Sequence, residues 1–314
     1  VKNFNQNFGY KPSEKFFRIR EKIIRWKKFI SYYENDSCKI EEIRKNALKA
    51  AKSIKNNTPG NIFKISQSNL EWVRECNSDS KVNILYIHGG GFIAGSLDNH
   101  RPFAKVLSGE LNAGILMIDY PLAPENKYPV QLDEVKKSFI FMKENSPKNS
   151  VNGILGDSAG ANIGLSAILN LSENEKTKPD FGVFLSGFFD LALQGRSIKE
   201  KADLDFVLKP EFLKFYADCY AGKDDSLKNP QISPLYGDFS SSCSLFFQVG
   251  TSEILMDDSL RCHRAALEKG VSSTLSLWPE MMHSFQSYYP YFPESIFAVR
   301  EIGHFIKDSI PKPG

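Results

Sequence analysis

Val151-Asn152-Gly153-Ile154-Leu155-Gly156-Asp157-Ser158-Ala159-Gly160-Ala161-Asn162-Ile163 opens the stretch that decides the fold, and Gly164 to Leu171 completes it. Val151–Leu155 is a short run of strand length. Ala159–Leu171 is long enough, and apolar enough, for a buried helix. Between them Gly156-Asp157-Ser158-Ala159-Gly160 fits G-x-S-x-G, in the strand–turn–helix setting that such a motif requires. A turn this tight leaves no room for side chains two places to either side of Ser158. It also pushes the serine hydroxyl clear of the sheet. A glycine–serine turn that merely caps a helix is the plain alternative, and the strand leading in with the helix leading out favours the exposed hydroxyl.

The same alternation runs outward in both directions. Upstream, Val82–Ile87 reads as a buried strand, His100–Leu111 as a helix, Gly114–Asp119 as a strand and 131–144 as a helix. Ile62–Ser66 and Glu71–Glu75 read as an antiparallel start. Downstream come strand Phe181–Ser186, strand Leu245–Val249, helix Asp257–Lys269, strand Ser273–Trp278 and a last helix near Glu294–Ile310. Strands alternating with helices predict an α/β protein with a mostly parallel central sheet and helices on both faces. Two segments fall outside the rhythm. In 13–33, Phe16, Ile19, Ile23, Trp26, Ile30 and Tyr33 recur at helical spacing, and a second helix is expected over 39–55, ended by Pro59-Gly60. The charged, aromatic stretch 196–222 is the other. The expected organisation is an N-terminal helical cap segment over 1–55 and a catalytic domain over 56–314 with a cap insert at about 196–222. Such a cap would cover the C-terminal edge of the sheet, where these folds place their sites.

Composition bounds the function. The chain has 314 residues, enough for one large domain or one domain with a small cap. Lys plus Arg is 40 against 37 for Asp plus Glu, so a net charge of +3 argues for no nucleic-acid partner. Apolar runs such as Ile84–Ile87 and Ile115–Ile118 are far too short to span a bilayer, so no stable membrane insertion is expected. The basic face of 13–33 (Lys15, Arg18, Lys22, Arg25) reads as a solvated helix face rather than a lipid-binding one. Cys38, Cys76, Cys219, Cys243 and Cys262 are scattered, odd in number and without CxxC spacing, against both a disulfide framework and a zinc site. Free thiols and a polar N-terminus without an apolar signal core point to the cytoplasm. The chain begins at Val1, which leaves a removed leader open, and nothing in the sequence decides for or against a homodimer.

A serine raised on such a turn needs a base, an orienting acid and donors for a developing negative charge. His88-Gly89-Gly90-Gly91 follows the strand Val82–Ile87. Three glycines let the backbone approach a reacting carbonyl and turn N–H groups toward it. Gly90 and Gly91 are the candidate donors of this oxyanion hole, with Ala159 as the third, and His88 is read as holding the loop. Five histidines permit elimination. The serine of such an elbow is followed along the chain by the acid and then the histidine. His88 and His100 precede Ser158, while His263 and His304 lie inside helix patterns. His283, in the loop beyond strand Ser273–Trp278, is the candidate base. Glu253 follows strand Leu245–Val249 directly and is the candidate acid. Asp257 is second, since it and Asp258 also suit the N-terminal turn of the next helix. Phe92, Phe188 and Phe189 are candidates for the substrate pocket, with Phe206, Phe212 and Phe215 from the insert, and core packing is the even alternative for each.

These residues resemble the hormone-sensitive lipase-like family of α/β-hydrolase carboxylesterases, also described as the bacterial acetyl-esterase group. The resemblance covers roughly residues 80 to 290 and rests on an ordered set. It comprises His88-Gly89-Gly90-Gly91-Phe92, Asp119-Tyr120-Pro121-Leu122-Ala123-Pro124-Glu125 with Tyr128-Pro129, and Gly156-Asp157-Ser158-Ala159-Gly160. Ser233-Pro234-Leu235, Gly250-Thr251-Ser252-Glu253-Ile254-Leu255 and His283-Ser284-Phe285 complete it. It implies a capped α/β-hydrolase fold, no cofactor and no metal, and hydrolysis of short- to medium-chain carboxylic esters by a serine esterase. Two departures stand out. Pro121 occupies a position where the family usually has Arg, so an ion pair near Asp119 is expected to be missing. Glu253 occupies a position where many members have Asp. A small-molecule receptor built on the same fold is the rival class, and the presence of His283 speaks against it. Amidases and lactonases share the same triad.

Overall fold

The computed structural model describes residues 12–30, 38–52, 54, 57–77, 80–222 and 226–309. Two helices come first, α1 (Glu14–Ile30) and α2 (Cys38–Lys52). The hairpin β1 (Ile62–Ile65) and β2 (Ser68–Val73) follows. Then β3 (Val82–Ile87), α3 (Leu97–Leu111), β4 (Gly114–Asp119), α4 (Val130–Glu144), β5 (Val151–Asp157), α5 (Ala159–Leu171) and β6 (Phe181–Leu185) alternate. The chain continues through α6 (Ser197–Glu200), α7 (Pro210–Tyr220), β7 (Ser244–Gly250), α8 (Met256–Glu268), β8 (Ser273–Trp278) and α9 (Pro293–Ser309). The eight strands form one sheet in the order β1-β2-β4-β3-β5-β6-β7-β8. The β1–β2 and β2–β4 pairs are antiparallel and all the others parallel.

The period of two along the strands sorts the core into two layers. Leu85 and Ile87 of β3, with Leu116 and Ile118 of β4, face a layer closed by α4, α5 and α8. Ile84 and Tyr86, with Ile115 and Met117, face the opposite layer, closed by α3 and α9. A parallel sheet covered on both faces must be apolar on both, and these strands are nearly continuous apolar runs.

Two sequence expectations shift. β2 begins at Ser68 and ends at Val73, not Glu71–Glu75, because a two-residue turn at Ser66-Gln67, with Ser66 at φ +54°, closes the hairpin earlier. α2 ends at Lys52, well before Pro59-Gly60. The insert 196–222 holds two separate helices, the one-turn α6 and α7. Of the stripe expected on α1, Phe16 is fully buried and Ile19 half-buried, while Tyr33 lies outside the described residues.

Phe16 packs with Trp278, Met281, Met282, Phe285 and Phe292 in a third cluster that Phe206 and Val207 of the insert also join. Ser13 fixes the start of α1. Its Oγ accepts from the Phe16 N–H at 3.1 Å, while its own N–H and hydroxyl donate to the Glu294 carboxylate at 2.5 and 3.0 Å. In α2, Arg44 donates to the carbonyls of Ile93 and Ala123 at 2.7 and 2.8 Å and to both Glu125 oxygens at 2.8 Å. The start of α1 is thereby tied to the first turn of α9, and α2 to the loops that follow β3 and β4.

Candidate active site

Ser158 sits between β5 and α5 at φ +53°, ψ −118°, a strained conformation for a residue with a side chain. Its flanking glycines are sterically required. A Cβ on Gly156 would lie 2.5 Å from the Gly160 carbonyl oxygen, and one on Gly160 would lie 2.1 Å from that of Ile87. The Ser158 N–H donates to the Leu185 carbonyl at 2.9 Å, so the adjacent strand β6 also holds the turn.

His283 is brought in by the loop after β8, and its Nε2 lies 2.9 Å from Ser158 Oγ. Its Nδ1 lies 3.0 Å from Glu253 Oε2. Glu253 is fully buried just beyond β7, and its Oε1 accepts from the Gly250 N–H at 2.6 Å and the Ser186 hydroxyl at 2.8 Å. Burial, with a further push from the charge of Asp205, raises the Glu253 carboxyl above its ordinary value against the downward pull of His283 and the Gly250 N–H. With donors on both oxygens it is placed to act as a carboxylate. Burial disfavours the imidazolium of His283. The hydrogen bond and charge of Glu253, with the charges of Asp205 and Asp157, outweigh it and raise His283 above its ordinary value. Asp257 is turned away from this line, and its Oδ2 accepts from the N–H groups of Arg196 and Ser197.

The glycine loop after β3 is pinned from below. Tyr120 donates to the His88 carbonyl at 2.9 Å, and Asp157 Oδ1 accepts from the Gly89 N–H at 3.0 Å and Tyr86 OH at 2.8 Å. The His88 ring is stacked between Tyr120 and His100, with centroids at 4.4 and 4.9 Å. Burial and the neighbouring His100 lower it to about 3, so it is neutral and structural, as expected. Gly90 and Gly91 adopt φ of +121° and +61°. Among the described residues the N–H groups of Gly90, Gly91 and Ala159 have no protein acceptor, and the Gly89–Asp157 hydrogen bond holds the glycine loop against the turn that carries Ser158.

The aromatic candidates separate. Phe92 is buried, stacks on Tyr220 at 4.0 Å and approaches Phe188 at 6.2 Å. Phe189, expected at the pocket, is a core residue. It packs edge-on against Phe184 and Phe247 of the sheet, because its N–H and that of Asp190 are held by Asp258 Oδ2 at 2.9 Å and turn its ring inward. Phe206 joins the α1 cluster, Phe215 is half-buried and Phe212 is exposed. Sequence reasoning missed Ser186 and Tyr216. Ser186 is the first residue past β6, a strand-end position that was itself a signal. Tyr216 of α7 lies directly over Gly91, and no local pattern marks it. Asp119, beside Pro121, forms no ion pair among the described residues, and burial raises its carboxyl.

A polarised serine at a strand–helix elbow, beside free backbone donors, on a sheet of this topology defines an α/β hydrolase. The model of a family described as α/β hydrolase fold matches residues 84–287. An acetyl-hydrolase of Streptomyces hygroscopicus is 30% identical over 79% of this chain and 83% of its own. An esterase of Acinetobacter venetianus is 33% identical over 71% of this chain and 73% of its own. A crystal structure of an esterase from the bacterial hormone-sensitive lipase family superposes with a TM-score of 0.86 at 25% identity, over 96% of this chain and 100% of that one. A hormone-sensitive lipase from a metagenome library gives 0.83 at 28% identity, with the same coverage. The chain belongs to the α/β-hydrolase family, in its hormone-sensitive lipase-like branch. Among the described residues no helix is long and apolar enough to cross a membrane.

Proposed function

We propose that this protein is a serine carboxylesterase that hydrolyses short- to medium-chain esters through an acyl-enzyme. The observation that carries it is the continuous relay from Ser158 Oγ through His283 to Glu253, with contacts of 2.9 and 3.0 Å. Ser158 Oγ attacks the ester carbonyl as His283 Nε2 takes its proton. Glu253 keeps the other ring proton on Nδ1 and stabilises the imidazolium. The N–H groups of Gly90, Gly91 and Ala159 receive the oxyanion, each donor being worth on the order of 3 kcal/mol in the transition state. His283 then protonates the leaving alcohol as its C–O bond breaks, and water releases the acid by the same steps in reverse. The partner is a small ester substrate, and the scattered thiols favour the cytoplasm.

Residues 1–55 and 196–222 act in this proposal as a cap over the acyl pocket, with Phe92 and Phe188 as its apolar wall. Tyr216 over Gly91 and Tyr220 on Phe92 support it. A closed pocket rewards each added methylene by about 0.8 kcal/mol while the chain fits. Beyond that, displacing packed side chains costs about 1–3 kcal/mol. The test is kcat/KM for p-nitrophenyl esters from acetyl to palmitoyl, with Ser158→Ala as control. We expect a maximum between acetyl and hexanoyl, and no turnover by a Ser158→Ala protein whose circular dichroism is unchanged. A maximum at long chains overturns the roofed pocket, and retained turnover in the folded control removes Ser158 from its role.

A further inference from the structure

A second buried carboxylate stands behind the triad. Asp205 lies in the insert between α6 and α7 and is 2% exposed. Its carboxylate accepts from three backbone N–H groups. Oδ1 accepts from Val207 and Leu208 at 2.8 Å each, which shapes the turn into α7. Oδ2 accepts from Ile254 at 2.9 Å, the residue next to Glu253. The insert therefore grips the loop that carries the candidate acid. Nothing in the fold of the insert requires that third bond, since the Oδ1 pair already closes the turn.

We propose that Asp205 is a positioning residue for the triad: it fixes the Glu253 loop and places negative charge behind His283, so that cap insert and triad work as one unit. The inference rests on the esterase mechanism above. The charged groups acting on His283 from the packed elements are Glu253 after β7, Asp205 from the insert and Asp157 at the end of β5. Two cations of the elements packed here are engaged elsewhere. Arg20 of α1 sits over the Phe206 ring, 5.4 Å from its centroid, and Lys209 Nζ donates to the Ala202 carbonyl. All three carboxylates favour the imidazolium that forms as Ser158 loses its proton.

The experiment uses two neutral variants of the full chain. Asp205→Asn keeps the size of the side chain, and Asp205→Ser keeps an acceptor that can close the turn through Oγ. The readout is the pH profile of kcat/KM for p-nitrophenyl acetate, whose acid limb reports the free-enzyme base. Removing a negative charge weakens proton binding by His283, so the acid limb should move to lower pH by about half a unit or more. At the alkaline plateau kcat should fall with KM nearly unchanged. An acid limb that stays at the wild-type position in a folded variant overturns the proposal. Loss of the fold in both variants also overturns it, because Asp205 is then a folding residue. Failure of the mechanism itself is distinguishable: wild-type protein without esterase activity, or an active Ser158→Ala protein, defeats the triad before Asp205 is at issue.

Discussion

Replacing Gly91 by Ala tests whether α7 and the glycine loop share one space. Gly91 sits at φ +61°, and an added Cβ would lie 2.7, 2.8 and 2.9 Å from Cγ, Cδ1 and Cδ2 of Tyr216. An L-residue in this left-handed region costs about 1–2 kcal/mol. Relief of the contact requires the Tyr216 ring to retreat by about 0.7 Å, from 2.7 Å to the edge of ordinary contact at 3.4 Å. The ring is packed on the main core, so the retreat resembles overpacking at about 1–3 kcal/mol. Gly91→Ala should therefore lose about 2–5 kcal/mol of stability. If the loop moves instead of the ring, the proposed oxyanion donor at Gly91 is displaced and kcat/KM should fall about a hundredfold. The assay is a cycle of wild type, Gly91→Ala, Tyr216→Ala and the double variant, each measured by urea unfolding and by turnover of p-nitrophenyl acetate. Removing the ring relieves the clash and leaves the backbone penalty. The double variant should thus be more stable than additivity predicts by about 1–3 kcal/mol and should regain part of the lost kcat/KM. Additive effects within about 0.5 kcal/mol would show that Tyr216 does not limit the space over Gly91. A destabilised Gly91→Ala protein with unchanged kcat/KM would remove Gly91 from the oxyanion hole.

Glu253→Gln should lower kcat by roughly a hundredfold or more, whereas Asp257→Asn should leave kcat nearly unchanged and cost about 1 kcal/mol in stability; steady-state kinetics and urea melts separate the two. Because Glu253, Asp205 and Asp157 outweigh burial and raise His283 above 6.5, kcat/KM of the wild type should fall on the acid side through a midpoint above that value, measured in buffers of constant ionic strength. Burial and the neighbouring Asp190 lift the Asp258 carboxyl to about 8. A folded-state value above the unfolded one stabilises fully below the ordinary carboxylate range and is lost as pH rises through about 8. Asp258→Asn should therefore flatten the decline of the urea midpoint across that window, and an unaltered slope would refute the shift.

Much of this architecture is legible in local sequence. β3 and β4 begin and end where their apolar runs do, because buried parallel strands carry their own signal. Ser158, His283 and Glu253 stand out in the sequence because each lies just past a strand's C-terminal end, and the fold brings the three side chains into contact. β2 was displaced because its limits are set elsewhere. Its turn carries Ser66 and Gln67 in place of the usual Gly or Asn, and its register comes from pairing Asn69 with Asp119 of β4. Phe188 and Phe189 are adjacent aromatics past a strand end, where no period says which one turns inward. The decision falls to Asp258, far along the chain. Tyr216, Asp205 and Arg44 gain their roles only from where the insert and α2 come to rest, and contacts of that kind leave no local periodicity.

The Ser13–Glu294 bonds also bear on how the molecule is made. Their partners are separated by 281 residues, so this anchor of the first described helix can close only after nearly all of the described chain has been synthesised. Until then Phe16 lacks Phe292 and Ala298, and the apolar side of α1 has no complete surface to meet. Closing so long a loop comes late in any folding sequence, because its entropy is spent before its contacts repay it. The sheet can assemble from neighbouring segments while the first helix waits. Since α1 packs on the loop that carries His283, that loop gains its full support only after Phe292 and Glu294 have been made, so the geometry of the candidate base depends on contacts that form late.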